Sequence, residues 1–217
     1  MALRALLIGM ALPVLLIIVY RFVPPPVSAL MMIRSIEGAP LHRDWVPLDR
    51  MSPSMVRAVV ASEDEKFCVH HGFDWDAIGT NFRDWRAGRT PKGASTISMQ
   101  TAKNLFLWPD RSVLRKAIEA YLTVWIELFW DKHRIIETYL NIVEWGDGIY
   151  GADTAARHYF GKPASALSPR EAALLAAVLP DPLHWSPVRP SAYVAMRAVS
   201  IREHMPEMAV PGTAGCH

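Results

Sequence analysis

Apolar residues run without interruption from Ala5 to Tyr20, and Phe22 and Val23 extend the run past Arg21. A stretch of about 16 to 19 apolar residues is marginally enough to span a bilayer. Residues 1–23 are therefore expected to form a single N-terminal transmembrane helix, with Arg21 snorkelling to the interface. A cleaved signal peptide is the alternative, because Arg4 supplies a charged start and Val27-Ser28-Ala29 looks like a small-residue cleavage site. Pro24-Pro25-Pro26 cannot continue a helix, so residues 24–44 read as a linker leading away from the membrane, and a domain is expected from Trp45 to about Met205.

Within that domain the apolar positions recur every three or four residues behind helix-start residues. Ser52-Pro53 precedes Met55, Val56, Val59 and Val60; Asp74 precedes Trp75, Ile78, Phe82 and Trp85, closed by Gly88. A longer helix is expected from near Arg111, with Leu114, Ile118, Leu122, Trp125 and Phe129 on its inner side, and another from Asp131 towards Val143. Ser168-Pro169-Arg170-Glu171 reads as a capping box with proline at the first helical position, and Ser191 to about Met205 supplies the last helix. No alternating run is long enough for a central sheet and no internal repeat is present, so the fold class is mainly α. Residues 206–217 are expected to be a disordered tail.

Composition narrows the function classes. The 217 residues carry 23 basic and 21 acidic side chains, a formal net charge of +2, interleaved along the chain. Nothing in that balance points to nucleic acid. The two cysteines, Cys68 and Cys216, make neither a disulfide framework nor a metal knuckle, and no bridge between them is expected.

Four segments carry candidate chemistry. Residues 61–74, ASEDEKFCVHHGFD, place Glu63 and Asp64 where an apolar helix gives way to histidine and glycine, a position suited to a reactive acid or base; a solvated helix-end pair has the same letters. Residues 93–104, GASTISMQTAKN, put hydroxyls at a helix start with Gln100 and Lys103 further along it, groups able to hold phosphate oxygens. An ordinary Ser or Thr cap is the bland alternative there, and the GxxxxGK spacing of a nucleotide loop is absent. Arg115, Lys116 and Glu119 lie three and four residues apart and can share one helix side, as a simple surface ion pair also would. Residues 132–151, KHRIIETYLNIVEWGDGIYG, set Glu137 and Asn141 four apart on a helix that runs into a glycine-marked loop.

Together with EAALLAAVLPDP at 171–182, these segments resemble, in order and spacing, the five signature motifs of the family 51 peptidoglycan glycosyltransferases, over about Trp45 to Pro182. The resemblance is nearest the monofunctional biosynthetic branch, because no SxxK serine or KTG triplet of a transpeptidase occurs.

The resemblance implies a lysozyme-like, mainly α glycosyltransferase domain on the periplasmic side of a bacterial inner membrane, polymerising lipid II into β-1,4-linked glycan with release of undecaprenyl pyrophosphate. It makes Glu63 the general base and Glu119 the second essential carboxylate, and assigns the leaving pyrophosphate to Lys103, Arg115 and Lys116. Asp64, Phe67, His70, Ser95, Thr96, Gln100 and Asn104 match positions that line the cleft in similar enzymes, and Glu137, Tyr139 and Asn141 fit a fourth motif that is partly structural. No organic cofactor is implied; a divalent metal, Mg or Mn, is the group that would accompany the pyrophosphate. Implied partners are lipid II, the growing strand, membrane lipid and other cell-wall synthases or division proteins.

The interval holding Trp75, Ile78, Phe82 and Trp85 corresponds to a lobe that dips into the membrane surface in similar enzymes, although core packing would explain the same stripe. Met99 departs from the family, which commonly has glutamine there. The rival functions are a lysozyme-like glycan-cleaving enzyme, with Glu63 as general acid, and a catalytically silent cell-wall scaffold; the first leaves the three cations unexplained.

Overall fold

The computed structural model describes residues 2–90, 93–110, 112–211 and 216, residues 2–8 by their backbone alone. Among the described residues the helices are α1 (Ala2–Tyr20), α2 (Ala29–Ile36), α3 (Pro53–Glu63), α4 (Trp75–Arg86), α5 (Ile97–Phe106), α6 (Val113–Phe129), α7 (Lys132–Ile142), α8 (Ala152–Phe160), α9 (Pro169–Val178) and α10 (Ala192–His204). Three short strands accompany them: β1 (His42–Arg43), β2 (Glu144–Gly146) and β3 (Ile149–Tyr150). The mainly α expectation holds.

The helices begin where their caps put them. Ser52 accepts from the Ser54 amide ahead of α3, Asp74 from Asp76 and Ala77 ahead of α4, Asp131 from Arg134 ahead of α7, and Ser191 from Val194 ahead of α10. Both halves of the Ser168–Glu171 capping box form. Each cap contributes about 1 kcal/mol. Helix α6 starts at Val113 behind Ser112; Arg111 lies outside the described residues.

Two packing groups make the core: α5 against α6 and α7, and α3 against α9 and α10. Met55, Val59, Ile136, Tyr139, Trp145 and Leu175 are among the side chains fully removed from water, each contributing about 1.5–3 kcal/mol for a large apolar group. The strands form one small sheet in the order β1-β3-β2, with β1 parallel and β2 antiparallel to β3. Gly148 has φ +67°, and a Cβ there would stand 2.1 Å from the Pro40 carbonyl oxygen, so the β2–β3 turn needs glycine.

Residues 24–44 are not an extended linker. Ser28 caps α2, Met31 is fully buried, and Arg34 Nε lies 3.6 Å from the buried Glu144. Arg43 donates to the Pro26 and Pro25 carbonyls at 3.0 and 2.7 Å. The segment is seated on the body by an eight-residue helix with one deeply buried methionine, and the packed body already includes Ile17 at the end of α1.

The tail is also more ordered than expected over its described part. A 3-10 turn covers Met205–Glu207, Met208 and Val210 pack on the core, and Cys216 is bonded to Cys68. This corrects the expectation of unbridged cysteines: the partners are 148 residues apart, and packing of the tail against α3 brings them together. Closing so long a loop restricts the unfolded chain and is worth about 2–5 kcal/mol. Reduction, or Cys216→Ser, is expected to lower the melting temperature by roughly 5–15 °C; calorimetry with and without reductant checks this, and equal melting temperatures would contradict it.

Helices α4 and α6 turn apolar residues outward. On α6, Arg115 and Glu119 are buried, Glu119 to 1 %, whereas Val113, Leu114, Val124 and Leu128 are exposed, Leu114 to 67 %. The expectation that Leu114 faces inward is therefore wrong, while Ile118 packs on the core. Helix α6 turns its charged side towards the protein because a polar cavity lies there. Helix α4 buries no residue, and Trp75 and Trp85 are 70 % and 66 % exposed, so its aromatic stripe is not core packing. Helix α1 coincides with the apolar N-terminal run; among the described residues no helix is long and apolar enough to cross a membrane.

Candidate functional site

The last turn of α3 delivers Glu63 and its cap residue Asp64 to the wall of a cavity of about 740 Å³, lined also by Ser62, Gly93, Ser95, Thr96, Gln100 and Arg197. Three side chains hold Glu63. Ser62 Oγ lies 3.0 Å from Glu63 Oε1, Gln100 Nε2 donates to Oε2 at 3.0 Å, and Arg197 Nη2 stands 3.6 Å from Oε1. Tyr139, from the buried face of α7, donates its hydroxyl to Gln100 Oε1 at 3.1 Å, which turns the amide nitrogen of Gln100 towards Glu63. Burial, aided by the nearby Glu63 and Asp64, pushes the Tyr139 phenol well above its usual range, so it remains a donor.

Asp64 faces the other way and joins two motifs. Its Oδ2 accepts the Ile97 amide at 2.9 Å, at the start of α5, and His70 Nε2 lies 2.9 Å from Oδ1. The Gly72 amide donates to His70 Nδ1 at 3.1 Å, which places the ring hydrogen on Nε2, facing Asp64. Gly72 has φ +86°, and a Cβ there would sit 2.9 Å from Thr123 Cγ2, so α6 comes close to this loop. Thr96 caps α5 and donates to the Gly72 carbonyl at 2.6 Å. Phe67 is fully buried beneath the loop, with Lys132 Nζ 4.8 Å above its ring.

A second cavity of about 360 Å³ adjoins the first, sharing Ser95 and Gln100 and adding Lys103, Asp110, Arg115, Lys116 and Glu119. Glu119 binds Arg115 through one oxygen and Lys116 through the other, and Lys116 also donates to Ser95 Oγ at 2.8 Å. Among the described residues Arg115 keeps a buried Nε without a hydrogen-bond partner, as does Arg197 in the first cavity. A buried donor left unpaired costs about 1–3 kcal/mol. Burial lowers the Lys103 pKa, Arg115 and Lys116 push in the same direction, and Glu119 opposes them.

The cavities thus set a carboxylate beside a cluster of three cations. A scan against family models matches residues 30–206 to the transglycosylase family. The chain belongs to that family. It is 58 % identical over 214 residues to a biosynthetic peptidoglycan transglycosylase of Rhodospirillum centenum, covering 98 % of this chain and 93 % of the relative. Proteins of the same name from Caulobacter vibrioides and Pseudomonas putida KT2440 are 49 % and 50 % identical, covering 97 % and 96 % of this chain and 92 % and 91 % of themselves.

In this transglycosylase the expected residues divide into two groups. Glu63, Asp64, Ser95, Thr96, Gln100, Lys103, Arg115, Lys116 and Glu119 line the cavities, and Phe67, His70 and Tyr139 brace those walls from behind. Glu137 and Asn141 are not brought to the cavities. Glu137 Oε2 accepts the Leu48 amide at 2.9 Å, and Asn141 pairs with both the N–H and carbonyl of Val46 at 2.8 and 2.9 Å. They anchor residues 46–48 on α7, because a chain segment without its own ladder needs side-chain partners. Asn104 is buried in α5 and lines neither cavity, and Met99 is buried too.

Sequence reasoning missed Ser62, Arg197 and Lys132. Arg197 reaches Glu63 from α10, 134 positions along the chain, and donates to Ser62 Oγ at 2.9 Å. Lys132 pairs with Glu127 at 2.8 Å, both largely buried, under the first motif. The apolar spacing around Arg197 marks a helix, and nothing local distinguishes this arginine from Arg202. Lys132 stands at the head of a segment already singled out, so its place there was the available signal.

Proposed function

We propose that this transglycosylase is a peptidoglycan glycosyltransferase that polymerises lipid II into β-1,4-linked strands and releases undecaprenyl pyrophosphate. The observation that carries the reading is the pair of adjoining cavities, one walled by Glu63 and the other by Lys103, Arg115 and Lys116, with Ser95 and Gln100 common to both. The names of the relatives support the substrate class.

Glu63 takes the proton from the acceptor 4-hydroxyl as that oxygen bonds to the anomeric carbon of the donor. The bond from that carbon to the pyrophosphate oxygen breaks, its electron pair leaves with the pyrophosphate, and the α-linked donor becomes a β-linked product by one inverting displacement. Ser62, Gln100 and Arg197 hold the carboxylate in place, so its aim needs no rearrangement during the step. Lys103, Arg115 and Lys116 stabilise the charge that grows on the leaving group. Glu119, with both oxygens engaged, positions Arg115 and Lys116 and takes no part in proton transfer.

Both Glu119 oxygens being occupied also leaves the donor set poorly suited to a protein-held metal, and among the described residues no cluster of three potential ligands forms. A Mg or Mn ion would arrive with the pyrophosphate and would offset part of its charge.

The placement we propose is a single-pass inner-membrane protein with its catalytic domain in the periplasm. Exposed Leu12, Leu15, Val19 and Phe22 on and after α1, the outward apolar faces of α4 and α6, and Arg83 and Arg86 beside the α4 aromatics support contact with an anionic lipid surface. The Cys68–Cys216 disulfide supports an oxidising compartment.

Two measurements bear on this reading. Offered preformed glycan strands and lipid-linked disaccharide separately, the protein is expected to extend the second and leave the first intact; shortening of strands alone would establish the cleaving rival. The lowered Lys103 pKa sets the alkaline limb of kcat/KM below the ordinary lysine value of 10.5, because the cation is lost as pH rises through it. Lys103→Arg keeps its charge and is expected to move that limb upward. An unmoved limb in pH–rate profiles would remove Lys103 from leaving-group binding. The stability sign is opposite: between the lowered and ordinary values the unfolded chain binds more protons, so stability rises with pH there.

A further inference from the structure

We propose that Arg134 is a positioning residue that fixes α1 rigidly to the catalytic body, so that the membrane helix and the cleft turn together; this rests on reading α1 as the anchor. The last turn of a helix leaves carbonyls without partners inside it. At the end of α1 the Tyr20 carbonyl does not go to water. Arg134 Nε and Nη2 donate to the Tyr20 carbonyl at 2.9 and 2.7 Å, and Nη2 also reaches the Val23 carbonyl at 2.9 Å. Its Nη1 donates to Glu137 Oε1 at 2.6 Å, and Glu137 holds the Leu48 amide with its other oxygen. One planar, permanently charged fork therefore joins α1, α7 and the segment entering α3.

The surroundings remove the freedom a lone ion pair would keep. The guanidinium lies 5.2 Å from the ring centre of Trp45 and 5.8 Å from that of Trp130. Trp130 donates its indole N–H to the Ile17 carbonyl at 2.7 Å, and the Ile17 side chain is fully buried. Tyr20 stacks on Phe106 with ring centres 6.4 Å apart, and Phe106 ends the helix that carries Gln100 and Lys103. A tether that only kept the enzyme near the membrane would need none of these contacts. A lipid-linked donor enters at a depth and angle set by the bilayer, so a fixed angle between α1 and the cleft presents Lys103 and Arg115 at a constant height. Misplacement by about 1 Å can cost about 10²-fold in rate.

The experiment uses the full chain in lipid nanodiscs, with nitroxides on Leu12→Cys and Val199→Cys, both exposed positions, and distances read by double electron–electron resonance. A single narrow distribution is expected for the parent and a broad one for Arg134→Ala; Arg134→Lys, which keeps the charge but not the fork, is expected between them. A broad parent distribution, or an Arg134→Ala distribution as narrow as the parent's, overturns the proposal. The activity of Arg134→Ala on lipid II is expected to fall about tenfold in bilayers and less than about twofold in detergent. An equal loss in both, with a lowered melting temperature, would make Arg134 merely structural and also overturn it. The distance measurement needs no turnover, so failure of the polymerisation reading is separable. Failure of the chain to enter nanodiscs refutes the anchor reading and the proposal with it.

Discussion

Glu63→Gln is expected to lower polymer formation by about 10²–10⁴-fold, the usual contribution of a positioned general base, with the melting temperature nearly unchanged. The amide is the same size as the carboxylate and retains an oxygen that can accept from Gln100 Nε2, now 3.0 Å from Oε2. What it loses is the ability to take the acceptor proton, and the attraction to Arg197 at 3.6 Å. The fall should therefore appear in kcat, with the apparent affinity for the lipid-linked substrate little altered. A variant that keeps more than about a tenth of the parent rate would move proton removal to another group.

Glu119→Ala is expected to damage both stability and activity. Arg115 is buried and Glu119 almost wholly so, and Glu119 is the carboxylate partner shared by Arg115 and Lys116. Removing one partner of a buried pair typically costs about 3–5 kcal/mol, because the remaining charge stays uncompensated. Calorimetry should show the lowered melting temperature. At temperatures where the variant remains folded, a raised KM for the lipid-linked substrate should report that the cations have lost their orientation. A variant with the parent's melting temperature and KM would show that Glu119 holds nothing.

These two carboxylates mark what local sequence could and could not tell. Glu63 and Asp64 were legible because the apolar spacing of their helix stops at them, and Thr96 ahead of α5 and the caps Ser52, Asp74, Asp131, Ser168 and Ser191 because each caps an amide within three residues of itself. The spacing of Arg115, Lys116 and Glu119 also told that they share a side of α6. Which side faces the protein was not legible, since Leu114 and Ile118 suggested an inward apolar stripe, whereas the polar cavity draws Arg115 and Glu119 in and leaves Leu114 out.

Contacts that close over long stretches of chain escaped for a common reason. Cys216 meets Cys68, Arg197 meets Glu63, and Asn141 meets Val46 across 148, 134 and 95 positions. Their pairing depends on how α3, α7 and α10 pack, and no periodicity records it. The segment 24–44 was misjudged because three prolines dominate its start, while Met31 and Arg34, which seat it, have partners far along the chain.

The central claim is that the carboxylate cavity and the cation cavity together polymerise a lipid-linked disaccharide. Detergent-solubilised protein incubated with fluorescent lipid II, beside Glu63→Gln, tests it most directly, with products separated on a gel and digested by muramidase. The account predicts muramidase-sensitive polymer from the parent and none from the variant; no polymer from the parent across a range of detergents and divalent metals, or equal polymer from both, would contradict it.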